Sequence, residues 1–161
     1  LSFVSGDGTL SNPYHIYYLE DLFNIRNHLT SYFKLIRNLD FQDDDSYMNP
    51  SQNKPLWTSG LGWKPIVSSA GYWFEGELDG NKKTIKNLYI NRSDSYYIGL
   101  FEGFDYWQRG LGAVVRDLGL ENISITTNQA AGGLACAIWC EEGKGGEISN
   151  CWVTGEINSS L

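Results

Sequence analysis

Three segments of the chain share the pattern apolar-x-Asx-apolar-x-apolar: Ile85-Lys86-Asn87-Leu88-Tyr89-Ile90, Val115-Arg116-Asp117-Leu118-Gly119-Leu120 and Ile148-Ser149-Asn150-Cys151-Trp152-Val153. Their Asx residues, Asn87, Asp117 and Asn150, stand 30 and 33 residues apart. A second echo, Ile98-Gly99-Leu100-Phe101 and Gly132-Gly133-Leu134-Ala135, aligns Gly133 with Gly99 at a distance of 34. Strict strand alternation sends the first apolar residue of the pattern and the last two to opposite faces, so keeping all three inside requires a bend at the Asx. Asn and Asp tolerate such a bend by bonding their own backbone. Short strands recurring every 20–50 residues or so specify a solenoid, whose coils bury their apolar faces against neighbours about 4.8 Å away. Corner Asx residues then stack as a ladder, and glycines allow tight turns. The alternative is a β-sandwich whose strands resemble each other by chance.

Ahead of the repeats the pattern changes. Leu19, Leu22, Phe23 and Leu29 fall near helical spacing, with Glu20, Asp21, Asn24, Asn27 and His28 on the other side, so Leu19 to Leu29 reads as one amphipathic helix. Acids in its first turn suit the helix dipole, although no Ser, Thr, Asp or Asn cap precedes Leu19. His15 to Tyr18 and Tyr32 to Phe41 read as strands, and Gln42 to Ser59 as a long polar loop. Further on, Tyr72-Trp73-Phe74-Glu75-Gly76-Glu77-Leu78 places Tyr72, Phe74 and Leu78 on one strand face and Glu75 and Glu77 on the other. The expected class is all-β, a solenoid in which residues 1–50 form an N-terminal strand and helix cap and residues 51–161 the repeats. The C-terminal end stops within another coil, so it is open or continued in a longer chain.

Composition narrows the partners. The 161 residues make one domain of ordinary length, and a net charge of -7 leaves no concentrated Lys and Arg for nucleic acid or anionic lipid. No apolar run is long enough to span a bilayer. The chain opens at Leu1 without a leader pattern, which is the expectation for a processed exported protein or a trimmed piece. Cys136, Cys140 and Cys151 permit one disulfide with a thiol left over, and spacing does not select the pair. His15 and His28 are remote from them, which disfavours zinc.

The chain resembles the GLUG-motif repeat proteins. The matching elements are Gly6-Asp7-Gly8-Thr9 with Asn12-Pro13-Tyr14-His15-Ile16, Tyr32-Phe33-Lys34-Leu35 leading into Asn38-Leu39-Asp40-Phe41, and Gly62-Trp63-Lys64-Pro65-Ile66. Phe74 to Asn81, Thr84 to Leu88, Gly99-Leu100-Phe101 and Ile148 to Cys151 follow in order, so nearly the whole chain is covered. The Gly-Leu-x-Gly core is imperfect, with Glu102 and Cys136 where its second Gly would stand. The resemblance implies a right-handed parallel β-helix-like fold, outside the cytoplasm, in secreted or surface-anchored proteins. It implies no single activity.

Candidate sites are sparse. Asp43, Asp44 and Asp45 offer carboxylates for Ca2+ but lack the DxDxDG spacing and closing Glu, so a solvated acidic loop is the plainer account and no cofactor is expected. Glu75 and Glu77 have a spacing compatible with a polysaccharide hydrolase or lyase, the enzymatic alternative, yet nothing splits their pKa values. The cysteines have no nearby His, and no Gly-x-Ser-x-Gly elbow occurs. Trp73, Trp107, Trp152, Tyr96 and Tyr97 are candidate binding aromatics for sugar rings or a surface protein. Asn91, Asn122 and Asn158 open Asn-x-Ser sequons. The expected role is therefore a non-catalytic extracellular module for adhesion or surface architecture, with a head-to-tail structural subunit or filament as the alternative.

Overall fold

The computed structural model describes residues 2–51, 54–58 and 60–160. The chain is mostly β. Its elements run β1 (Tyr14–Ile16), α1 (Leu19–Asn24), β2 (Tyr32–Leu35), β3 (Leu39–Asp40), α2 (Lys54–Thr58), β4 (Glu77–Lys86), β5 (Tyr89–Asn91), β6 (Tyr97–Ile98) and β7 (Phe101–Phe104). After these come β8 (Val114–Thr127), β9 (Ala130–Ala131), β10 (Ala135–Ile138), β11 (Glu147–Ser149) and β12 (Trp152–Ser159).

All pairs between these strands are parallel. One sheet runs β1-β2-β4-β8-β11, with β3 also on β4 and with β5 and β12 also on β8; β7 pairs with β10, and β6 with β9. A parallel partner requires the chain to return to the same end before each new strand, which is why long connections separate short strands. The registers set like beside like. Phe33, Leu78, Val115 and Ile148 form one column and Leu39, Ile85, Leu120 and Val153 a second. Ile90, Ile125 and Ile157 form a third.

The inner members of these columns are buried, whereas Ile148, Val153 and Ile157 are 46%, 45% and 41% exposed, so the last layer is uncovered among the described residues. From Phe33 in the first column, Phe74, Phe101 and Phe104 follow as a run of tilted rings with successive centroids 6.1, 4.9 and 5.3 Å apart. Trp63 is fully buried and donates its indole N–H to the Leu100 carbonyl at 3.0 Å. Buried residues from Ile16 to Ile125 form a single cluster, so one core draws on both sides of residue 50.

The helix is shorter than its apolar spacing suggests. Helix α1 ends at Asn24 and a 3-10 turn, Ile25–Asn27, follows. Asp21 takes the place of the missing cap, its carboxylate accepting the N–H groups of Tyr17 and Tyr18 at 2.9 and 3.0 Å. At the other end Arg26 Nε donates to the Phe23 carbonyl, and Asn27 Nδ2 to Asn24 Oδ1, both at 2.8 Å, which closes the helix early. Residues expected to form one strand from Tyr32 to Phe41 divide into β2 and β3. The expected loop from Gln42 to Ser59 holds a 3-10 turn, Asp44–Ser46, and α2; its residues Gln52, Asn53 and Ser59, like the termini Leu1 and Leu161, lie outside the described residues.

The three Asx residues of the repeat do not form one column. Asn122 Nδ2 donates to Asn87 Oδ1 at 2.7 Å, and Asn87 Nδ2 donates to Asp40 Oδ1 at 2.8 Å. Asn150 Nδ2 donates instead to Asp117 Oδ1 at 3.2 Å. Residues 85–90 are in register with 120–125, whereas 114–116 pair with 147–149, so the pattern occurs at two separate corners. At each corner the Asx is left-handed: φ is 59° at Asn87, 53° at Asp117, 56° at Asn122 and 51° at Asn150. Asn and Asp enter this region more readily than other non-glycine residues, which is why the corners carry them. Gly99 and Gly133 lie in neighbouring bends, one between β6 and β7 and the other between β9 and β10, where Leu100 donates its N–H to the Gly133 carbonyl at 3.0 Å.

Candidate functional site

Four of the five candidate aromatics come together. Trp73, Tyr96, Tyr97 and Trp107 line a groove of about 430 Å³, joined by Tyr72 and Trp139 and by the carboxylates of Glu102 and Asp105. The parallel registers bring these distant segments side by side. Phe74 bridges to Phe104 and is fully buried, which turns the preceding Trp73 outward. The Trp73 ring lies on Gly103, where a Cβ would come within 2.5 Å of it. Tyr97, from β6, meets Trp73 edge-on with centroids 5.2 Å apart and an interplanar angle of 86°.

Trp107 sits on a loop whose neighbour Tyr106 is buried, and the two rings stack at 5.3 Å. That loop is anchored by Glu75, which is only 1% exposed and accepts the N–H groups of Gln108 and Arg109, each at 2.7 Å. Arg109 also donates to the Tyr32 hydroxyl at 3.0 Å. Trp139 follows β10 and is fixed by its N–H to the Phe104 carbonyl at 2.8 Å. Glu102 accepts the Ser95 hydroxyl, and Asp105 accepts the Tyr106 N–H at 2.7 Å. Tyr96, Trp107 and Trp139 remain 80%, 64% and 58% exposed, an apolar area that water does not favour.

Trp152 stands apart from the groove. Its ring covers Gly119, where a Cβ would lie 2.4 Å from it, beside Asp117 and Asn150. The alternation expected for residues 72–78 holds only in part: Tyr72 is 54% exposed and Glu75 is buried, the reverse of the expectation, because regular strand begins at Glu77. Tyr72, Trp139, Glu102 and Asp105 as lining, and Glu75 as an anchor, escape sequence reasoning. Only the density of aromatics between Tyr72 and Trp107 signals the groove.

Glu75 and Glu77 are engaged with different partners. Glu75 is engaged by backbone N–H groups, and Glu77 pairs with Arg116, which also reaches Asp79 at 3.2 Å. The hydrogen bond that Arg116 donates to the Glu77 carboxylate is the main cause that holds its guanidinium above its ordinary pKa. The acidic run likewise disperses. Asp43 caps the 3-10 turn by accepting the Asp45 N–H at 2.9 Å, and Asp44 faces Lys54 Nζ at 3.6 Å and takes the Ser51 hydroxyl at 3.1 Å. Among the described residues no three potential metal-ligand side chains gather at this run.

All three thiols are free in the structure. Cys140 is exposed, whereas burial pushes the half-buried Cys136 and Cys151 thiols above the ordinary range. Asn91 and Asn158 are exposed on β5 and β12, while the Asn122 amide is committed to Asn87. No helix among the described residues is long and apolar enough to cross a membrane.

No family model matches the chain, and no solved structure matches it significantly. The chain is 36% identical over 130 residues, 80% of its length, to a Gly-rich membrane protein of Evansella cellulosilytica. It is 30% identical over 158 residues, 96% of its length, to halomucin of Haloquadratum walsbyi. It spans only 13% and 2% of the lengths of these two relatives.

Proposed function

We propose that this chain is a non-catalytic module of a secreted or cell-surface protein that binds glycans through the aromatic groove. The observation that carries the reading is the convergence of Trp73, Tyr96, Tyr97 and Trp107 on one open groove. Exposed ring faces at several positions suit the flat C–H faces of pyranose rings, and each such contact removes apolar area from water. In this reading the scaffold is a right-handed parallel β-helix-like solenoid of the GLUG-motif type, with α1 at its N-terminal end. The parallel registers and the three side-chain columns support that scaffold. The names of the two relatives, a membrane protein and a halomucin, support a place at the cell surface.

A second reading rests on the uncovered edge. Ile148, Val153 and Ile157 are the apolar end of three columns, and an unpaired strand edge of this kind favours a further layer, supplied by following coils of a longer chain or, in this reading, by a second copy head to tail. One preparation decides between them: a glycan array with and without Ca2+, alongside light scattering over a range of concentrations. Selective glycan binding by a monomer, lost in Trp73→Ala and Trp107→Ala, is the expected result. Mass that grows with concentration and no glycan binding would replace the first reading with the second.

A further inference from the structure

Besides its aromatics the groove has a charge. Its ionisable lining comprises Glu102 and Asp105 together with tyrosines, and among the described residues no Lys, Arg or His lines it. Both carboxylates are held in place, Glu102 by the Ser95 hydroxyl and Asp105 by the Tyr106 N–H, so neither has to be ordered when a ligand arrives. Arg26 feels the Glu102 charge, but its guanidinium is already occupied. It donates to the Phe23 and Lys64 carbonyls at 2.8 and 3.0 Å and lies over the Phe23 ring at 3.5 Å. Aromatic faces attract cations through their quadrupole, so the two kinds of wall favour the same ligand charge.

We infer that the groove selects cationic amino sugars, with Glu102 and Asp105 receiving the ammonium groups while Trp73, Tyr97 and Trp107 carry the sugar rings. The inference rests on the glycan reading above and adds the ligand's charge to it. A neutral glycan uses the ring faces alone. A uronic-acid glycan brings its own carboxylates against Glu102 and Asp105, where like charges repel. A flexible cationic peptide is the less suitable occupant, because it offers no flat ring face to Tyr96 or Trp107, the most exposed aromatics of the groove.

The test uses one sugar backbone in three charge states: the β-1,4-glucosamine hexamer, cellohexaose and the corresponding glucuronate hexamer, with hexalysine as a fourth ligand. Titration calorimetry at mildly acidic pH, where the glucosamine amines carry their charge, reads the affinities. The glucosamine hexamer is expected to bind roughly tenfold tighter than cellohexaose, the glucuronate hexamer weakest, and the preference to shrink with added salt. Glu102→Gln with Asp105→Asn retains an acceptor oxygen at each position, and in this double variant the preference is expected to fall to about one. Equal affinity for glucosamine and cellohexaose hexamers, or a preference that survives in the double variant, would overturn the charge selection and leave the aromatic reading standing. Hexalysine binding tighter than the glucosamine hexamer would replace the sugar with a basic peptide. Binding of none of the four would remove the glycan reading itself, and this inference with it.

Discussion

The Asn122 amide donates to the Asn87 side-chain oxygen at 2.7 Å, and Asn87 passes the contact on to Asp40 at 2.8 Å, joining three strands through one corner. Both asparagines are left-handed, with φ of 56° and 59°. Each therefore does two jobs, turning the chain at a steric cost that few residues accept and tying the turn to its neighbours. A column built in this way resists sliding between strands, because a shift of one residue breaks every link at once.

Separating the two jobs of Asn87 is the first prediction. Asn87→Ala loses both hydrogen bonds and adds left-handed strain, for a cost of about 2–3 kcal/mol. Asn87→Gly loses only the bonds and costs about 1 kcal/mol. Urea unfolding of the two variants checks the order, and equal losses would mean that the corner geometry contributes nothing.

Glu75 links packing to binding. Truncation in Glu75→Ala strands the N–H groups of Gln108 and Arg109 at a nearly fully buried site, so it should cost about 2–4 kcal/mol. The same change frees the loop that carries Trp107, so affinity for the glycan should fall although Glu75 itself does not line the groove. Melting and calorimetry on one sample test both; unchanged affinity in a folded variant would detach the loop from the site.

Gly103 is the floor beneath Trp73. In Gly103→Ala the new methyl would meet the ring at 2.5 Å, and the indole must shift. The expected result is a change in tryptophan fluorescence and a loss of affinity of roughly tenfold, equivalent to about 1.4 kcal/mol. Gly145→Ala, where a Cβ meets nothing within 4 Å, is the control and should behave as the parent protein does.

The spacing of Asn87, Asp117 and Asn150 contains the strand repeat but merges its two corners, because the same apolar-x-Asx-apolar signature serves both. Only the pairing of Asn87 with Asn122, whose own segment Leu120 to Ile125 fits the pattern equally well, separates them. The groove was legible as an excess of aromatics and not as a place: Trp73, Tyr97, Trp107 and Trp139 meet only once the parallel registers are known. Glu75 misled for a different reason. Alternation is a property of regular strand, and residues 72–76 precede the start of β4. The helix end escaped detection because Asp21, Arg26 and Asn27 close it with side chains at positions other than the usual caps.

Thiol reactivity should follow burial. Cys140 is exposed, while desolvation raises the Cys136 and Cys151 thiols and so lowers their thiolate fraction at a given pH. Alkylation with iodoacetamide at about pH 8, near the ordinary thiol value of about 8.5, should modify Cys140 first, as read by peptide mass mapping. Cys136 and Cys151 should catch up only at higher pH or in denaturant. Equal rates at all three in the folded protein would contradict the burial of the two slower thiols.

Asp21 supplies a pH dependence of definite sign. Its carboxyl is buried at the start of α1, and desolvation raises its pKa even though the Tyr17 and Tyr18 N–H groups pull the other way. A raised folded value means that the folded state holds the proton more tightly than the unfolded chain, whose value stays near 3.8. The contribution of Asp21 to stability is therefore fully present below that value and is lost as pH rises through the folded pKa. Asp21→Asn keeps an acceptor for the two N–H groups and cannot ionise, so the stability difference between the two proteins should move in favour of the variant as pH rises from about 3 to about 6. Urea unfolding of both proteins across that range measures the difference directly. A shift in favour of the native Asp would show that the two hydrogen bonds outweigh desolvation, and that Asp21 caps α1 as a stabilising anion.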